Sequence, residues 1–199
     1  MIRFYHCNTE RSFAPFWTLE ELGIPYELEM LPFPARVITE DSQELDRGMT
    51  APFLVDEKTQ LTESMAICQY LAMRYGAARL VVAADEPAYG SFLDWLHGTV
   101  IYSHAIVVRD NGYPRISGAY AKWFLDWLQT LEAATAGSES LCAGRFTIAD
   151  IAVGSTLRRA ESMGLSRMFG PNVSAYWQRL QAREGFKRSI NAETMNRAS

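Results

Sequence analysis

Residues able to do chemistry gather where an apolar strand pattern gives way to a helical one. Ile2 to Tyr5 reads as a short buried strand. Behind it stand a thiol, two hydroxyls and a cation: Cys7, Thr9, Ser12 and Arg11. A hydroxyl at such a junction, with the unpaired amides that open the next helix, can donate hydrogen bonds to an anion. Plainer roles exist for each: a helix cap for Ser12, a small buried residue for Cys7, a surface pair with Glu10 for Arg11. A second junction carries Glu63-Ser64 just ahead of Met65, Cys68, Ala72 and Tyr75, which recur at helical spacing. The Ser64 hydroxyl can cap that helix, free amides at a helix start bind a carboxylate, and Glu63 suits an ammonium. From local sequence alone, a simple cap with an acid in the first turn is the plainer role of the pair.

Other chemistries lack their residues. His6 and Cys7 are adjacent, and adjacent side chains of a strand point to opposite faces. Asp94 and His97 share a helix face but have no further ligands at metal spacing, so no metal is expected. No G-x-S-x-G elbow and no phosphate-cradling glycine loop is present. The net charge is -4, and positive residues come in short groups such as Arg158-Arg159 and Lys187-Arg188. That argues against nucleic acid or an anionic membrane as a main partner. The three cysteines, Cys7, Cys68 and Cys142, form no C-x-x-C pair and read as reduced thiols of a cytoplasmic protein. Met1 to Cys7 lacks the apolar core of a signal peptide, and no apolar run approaches a membrane span.

The elements that must position these residues fall into two kinds. The 199 residues are 48% hydrophobic and 12% aromatic, enough for two small packed domains and an apolar pocket. After the first strand, Phe13 to Leu22 reads as a helix closed by Gly23 and Pro25, and Tyr26 to Leu31 alternates as a half-buried strand. Pro32 and Pro34 break the pattern, and the segment to Gly48 holds at most one short helix. Phe53 to Val55 forms a strand, Leu61 begins its hairpin partner, and a helix comes next. This order, β-α-β-(α)-β-β-α, is that of a thioredoxin-like domain over residues 1–78. Residues 79–87 read as a linker. Residues 88–199 read as an all-helical domain, with helices at Tyr89–Arg109, Gly118–Ala134, Ile148–Met163 and Val173–Arg183, and a short one near Phe186.

Three segments carry a resemblance to a known family. They are Phe4-Tyr5 through Ser12-Phe13-Ala14-Pro15 to Glu27; Ala51-Pro52-Phe53-Leu54-Val55-Asp56 with Leu61-Thr62-Glu63-Ser64-Met65-Ala66-Ile67; and Gly144-Arg145-Phe146-Thr147-Ile148-Ala149-Asp150. In order and spacing the chain resembles the cytosolic glutathione S-transferases along nearly its whole length, most closely the bacterial beta class. The resemblance implies conjugation of the glutathione thiolate to small apolar electrophiles, with glutathione as co-substrate, a homodimer and a role in detoxification. Two alternatives stay open. One is another glutathione-dependent activity, such as dehalogenation, ether cleavage, peroxide reduction or isomerisation. The other is a non-catalytic binding or regulatory module.

The resemblance also implies site residues. Pro52 is expected to be cis, with the Ala51 backbone pairing with the cysteinyl unit of glutathione as a sheet edge accepts a strand. Ser64 and nearby amides would hold the γ-glutamyl carboxylate and Glu63 its ammonium. Arg36 is the nearest candidate for the glycyl carboxylate. The characteristic beta-class cysteine falls on Arg11, so the thiol-activating donor is sought among Thr9, Ser12, Arg11 and Cys7, in that order. His104 lies where the beta class places a histidine near the active site, although a structural role on its helix face fits it as well. The second-substrate pocket would draw on Arg11, Tyr102, Arg109 and Tyr113.

The third segment concerns folding. Thr147 to Asp150 is a variant capping box with Asp in place of Glu or Gln, and Phe146 and Ile151 sit at the positions of a hydrophobic staple.

Overall fold

The computed structural model describes residues 1–8, 10–32, 36–37, 49–76, 79–110 and 114–197, with all of their side chains except those of residues 10, 36–37, 49–50, 100–110, 114–120 and 196–197. The strands are β1 (Ile2–His6), β2 (Tyr26–Met30), β3 (Arg36–Val37), β4 (Met49–Thr50), β5 (Phe53–Asp56) and β6 (Thr59–Leu61). The helices are α1 (Glu10–Leu22), α2 (Ser64–Tyr75), α3 (Tyr89–Asp110), α4 (Pro114–Ala134), α5 (Ile148–Ser162), α6 (Pro171–Gln181) and α7 (Glu184–Arg197). Two compact units emerge: Met1–Ala77 together with Arg183–Ser199, and Ala78–Ala182. The first is a thioredoxin-like mixed sheet with helices, and the second is all-helical.

In the first unit the four-stranded sheet has the order β2-β1-β5-β6. β1 and β2 run parallel, so a crossover is required, and α1 supplies it. β5 pairs antiparallel with both β1 and β6. The period of two along β1 sorts its side chains. Tyr5 packs with Phe53, Val55 and Leu31 on one face. On the other, the His6 ring lies 4.8 Å from the Phe16 ring of α1. Gly23 ends α1 at φ 64°, a conformation open to glycine, and its amide bonds the Leu19 carbonyl at 3.0 Å.

Leu61 departs from expectation. It ends the hairpin strand rather than beginning it, paired with Leu54, although its spacing to Met65 also fits a helix. Helix α2 is tied back to the sheet by Asp56, whose Oδ2 accepts the hydroxyls of Tyr70 at 2.7 Å and Tyr75 at 2.5 Å. Burial pushes the Asp56 carboxyl up, but these donors and the Arg74 charge outweigh it and hold it below its usual range.

The last helix also differs from the short element of the helical domain that the sequence suggests. α7 has 14 residues and groups with the first unit. The reason is its docking on α1. Phe186 stands edge-on to Phe13 and Trp17, with ring centroids 5.5 and 5.0 Å apart. Arg183 forks onto Glu21 at 2.8 and 2.9 Å, and Arg188 reaches Glu20 at 2.7 Å. Gly185 leaves room for the Glu21 side chain here, since a Cβ would lie 2.7 Å from its carboxyl carbon and displace it.

In the second unit α5 is buried along most of its length. α4 begins at Pro114, four residues before the expected start, with proline at the first helical position. The capping box forms. The Ala149 amide donates to Thr147 Oγ1 at 3.2 Å, and the Thr147 amide donates to Asp150 Oδ2 at 2.8 Å. Asp150 does more than cap. Its Oδ1 accepts the Leu141 amide at 3.0 Å and the Tyr176 hydroxyl at 2.8 Å, which joins α5 to the preceding loop and to α6. Burial pushes the carboxyl up while the donors pull it down. Glu132 of α4 caps α6 in the same way, accepting the Asn172 and Val173 amides at 2.9 and 3.0 Å. Among the described residues no helix is long and apolar enough to cross a membrane.

Asp150→Ala leaves the Leu141 and Thr147 amides and the Tyr176 hydroxyl without their acceptor. At roughly 1–3 kcal/mol for each buried group, the loss should be about 3 kcal/mol or more, read as a lower urea midpoint. An unchanged midpoint would refute the role of Asp150. Arg145 clasps Glu86, with Nη1 2.8 Å from Oε2. This hydrogen bond, helped by the Ala83 amide, lowers the Glu86 pKa to about 2. A depressed carboxyl stabilises the fold above its unfolded value and loses that stabilisation as pH falls through the folded one. Glu86→Gln should therefore flatten the fall in stability between about pH 4.5 and pH 2. A wild-type acid profile in the variant would contradict this.

Candidate functional site

The C-terminal end of β1 is where the chemistry-bearing residues of the first unit meet. Cys7 leaves the strand with both backbone polar groups held by one side chain. Ser12 Oγ donates to the Cys7 carbonyl at 2.5 Å and accepts the Cys7 amide at 3.3 Å. Ser12 is fully buried, and its hydroxyl proton is directed at this carbonyl. The Cys7 thiol is buried as well. Desolvation raises its pKa, against the pull of a bond to the Asn8 backbone, so it remains a thiol at neutral pH.

Pro15 sits inside α1 and imposes a requirement that no local pattern announces. A proline has no amide to offer the carbonyl four residues before it. That carbonyl belongs to Arg11, and it is taken by Ser64 Oγ at 2.5 Å. The bond joins two segments 53 residues apart and brings the start of α2 beside the first turn of α1.

This corrects the expected role of Ser64. It is the first residue of α2, not its cap, and its hydroxyl serves another helix. Glu63 occupies the N-cap position with extended backbone, φ -90° and ψ 127°, and makes no side-chain cap bond. The first amides of α2 thus receive no cap from Glu63, which is exposed.

The Ala51-Pro52 peptide is cis. Both residues are buried and lead directly into β5. β5 pairs with β1 up to Tyr5 and Phe53, so the cis peptide leads into β5 directly before its last pair with β1. Ser12 is held at the β1 exit and Ser64 at Arg11 beside it, while Ala51-Pro52 leads into the strand that pairs with β1. Arg11 is exposed.

Other candidates are only partly described. Thr9 and Tyr113 lie outside the described residues. Arg36 is on β3, opposite Thr50, and Tyr102, His104 and Arg109 are on α3, but their side chains lie outside the described ones. Among the described residues no group of three or more His, Cys, Asp or Glu side chains could hold a metal ion.

The arrangement offers uncapped amides at a helix start, an exposed carboxylate next to them, and a strand-leading edge close by. These suit a small zwitterionic peptide-like molecule.

Residues 12–79 match the family model described as glutathione S-transferase, N-terminal domain. The chain is 28% identical over 188 residues to glutathione S-transferase GstB of Escherichia coli strain K12, across 87% of this chain and 89% of that protein. It is 25% identical over 187 residues to a stringent starvation protein A homolog of Haemophilus ducreyi, across 86% of this chain and 81% of that protein. In structure it is similar to a sphingomonad glutathione S-transferase complexed with glutathione, with a TM-score of 0.81 and 22% identity over 96% of this chain and 98% of that one.

If Pro15 creates the need that Ser64 meets, the two positions are coupled. Ser64→Ala should destabilise the protein by about 1 kcal/mol. In the Pro15→Ala background, where residue 15 regains its amide, the same change should cost only about 0.3 kcal/mol. Equal losses in urea titrations of both backgrounds would show that the bond is incidental.

Proposed function

We propose that the chain is a member of the cytosolic glutathione S-transferase family, in keeping with the matched N-terminal domain model and its curated relatives, that it binds glutathione at the end of β1, and that it transfers the sulfur to a small apolar electrophile. The observation that carries this reading is the convergence of the cis Ala51-Pro52 edge with the Glu63-Ser64 helix start. In this reading the Ala51 backbone pairs with the cysteinyl unit. The Glu63 carboxylate takes the γ-glutamyl ammonium, and the opening amides of α2, the Ser64 backbone amide among them, take its carboxylate. Arg36 receives the glycyl carboxylate.

That pose delivers the thiol to the stretch between Cys7 and Ser12. A free thiol has a pKa of about 8.5, and each unit of lowering needs about 1.4 kcal/mol of extra thiolate stabilisation. We assign this to the Thr9 hydroxyl and the amides that open α1. Ser12 is the lesser candidate because its proton already serves the Cys7 carbonyl. Cys7 is a poor donor because it is buried. Arg11 adds a cation near the same turn. His104 is assigned to the glutathione sulfur, and Arg11, Tyr102, Arg109 and Tyr113 to the electrophile. The active form is a homodimer, and the physiological role is detoxification.

A second reading is favoured by one pair of observations. An arginine stands where the beta class has its cysteine, and one relative is a stringent starvation protein A homolog. In that reading the chain is a regulatory module that binds a protein partner and turns nothing over.

Calorimetric titration with reduced glutathione separates the two. Saturable binding is expected, weakened about tenfold in Glu63→Ala, which is the loss of about 1.4 kcal/mol. Absence of binding at millimolar glutathione would sink the transferase reading and favour the regulatory one.

A further inference from the structure

A buried polar contact joins the last helix to the C-terminal end of β1. His6, the final residue of β1, is fully buried, and its Nε2 lies 3.0 Å from Oε1 of Glu193 on α7, 187 residues away. Glu193 is only 3% exposed. A carboxyl group this deep needs donors, and in both the Nε2-H neutral form and the cationic form the His6 ring is one. The other ring nitrogen, Nδ1, is buried with no hydrogen-bond partner, and the Phe4 and Phe16 rings neighbour the imidazole. The ring therefore has one orientation that satisfies Glu193.

An apolar pair of similar volume would pack here at no greater cost. What a polar pair adds is register: α7 can sit on β1 in one position and no other. The position matters because His6 leads straight into the Cys7 turn. The His6 carbonyl accepts the Leu31 amide at 2.7 Å, and the next residue is Cys7, whose amide and carbonyl are both held by Ser12. Leu31 and Ser12 thus fix the exit of β1 from nearby in the chain, and Glu193 fixes it from the far end.

We propose that Glu193 is a positioning residue: through His6 it sets the exit of β1, and with it the Cys7-Ser12 clamp and the start of α1. This rests on the transferase reading only for its consequence, since that turn is where the glutathione thiol would arrive.

Two measurements test it, using the full chain. The first needs no glutathione. Amide hydrogen exchange of Cys7 and Leu31, whose acceptors are Ser12 Oγ and the His6 carbonyl, should quicken about tenfold in Glu193→Leu, relative to the β5 amides of the same protein. Glu193→Gln, which keeps an acceptor for Nε2-H, should restore wild-type exchange at these amides. The double variant His6→Phe with Glu193→Leu, which removes both polar partners together, should regain the thermal stability lost by Glu193→Leu and still exchange fast there. It also serves if Glu193→Leu alone does not fold. The second measurement is the thiolate absorbance of bound glutathione against pH. Glu193→Leu should hold about tenfold less thiolate at pH 7, with the glutathione Kd within about threefold of wild type. A purely structural tie would lower Tm and leave both readouts unchanged, and that result overturns the proposal. Faster exchange in a protein that binds no glutathione would retain the positioning role and reject the transferase reading.

Discussion

One missing amide organises the end of the sheet. Pro15 cannot donate to the Arg11 carbonyl, so a donor from outside the helix can take that place. Ser64 does so from 53 residues away, which fixes where α2 can begin. Because Ser64 is engaged this way, Glu63 falls at the N-cap without capping, and the opening amides of α2 are left for another acceptor. The pairing of β1 with β5 ends at Tyr5 and Phe53, directly after the cis Ala51-Pro52 peptide. A local defect in one helix has become the alignment of three segments.

Both units use the carboxylate in a similar way. Asp150, Asp56 and Glu132 each gather donors from beyond their own element, and each acts where a helix has to be held to something outside itself. Asp56 and Asp150 differ in outcome. Asp56 collects two phenols and an arginine and is held below its usual range, whereas Asp150 is so deep that burial raises it despite its donors. Desolvation and hydrogen bonding pull in opposite directions, and at Asp56 the Arg74 charge adds to the side of the donors.

What can be read from the sequence is what depends on neighbours along the chain. The Thr147-Asp150 box is local, and it forms. The alternation of Tyr26 to Met30 is local, and its tyrosine, leucine and methionine are the half-buried ones. The cis bond at Pro52 is legible only through resemblance, because nothing in the residue types distinguishes it from an ordinary proline. The role of Ser64 escapes a local reading because its partner, Arg11, is recognisable only once the effect of Pro15 is considered in three dimensions. α7 escapes it for a related reason. Its sequence is polar, and the features that attach it, Glu20, Glu21 and His6, lie at the opposite end of the chain. Leu61 satisfies two periodicities at once, and only pairing with Leu54 resolves it.

The attachment of α7 means that the first unit is discontinuous in sequence, with the whole of Ala78–Ala182 lying between its two parts. A chain emerging from the ribosome therefore presents Phe13, Trp17 and His6 long before Phe186 and Glu193 exist to cover them. The second unit, continuous and built on neighbouring helices, can consolidate first. The sheet strands precede the second unit in the chain, but the helix that covers them follows it, so the apolar α1 face has to wait in the meantime.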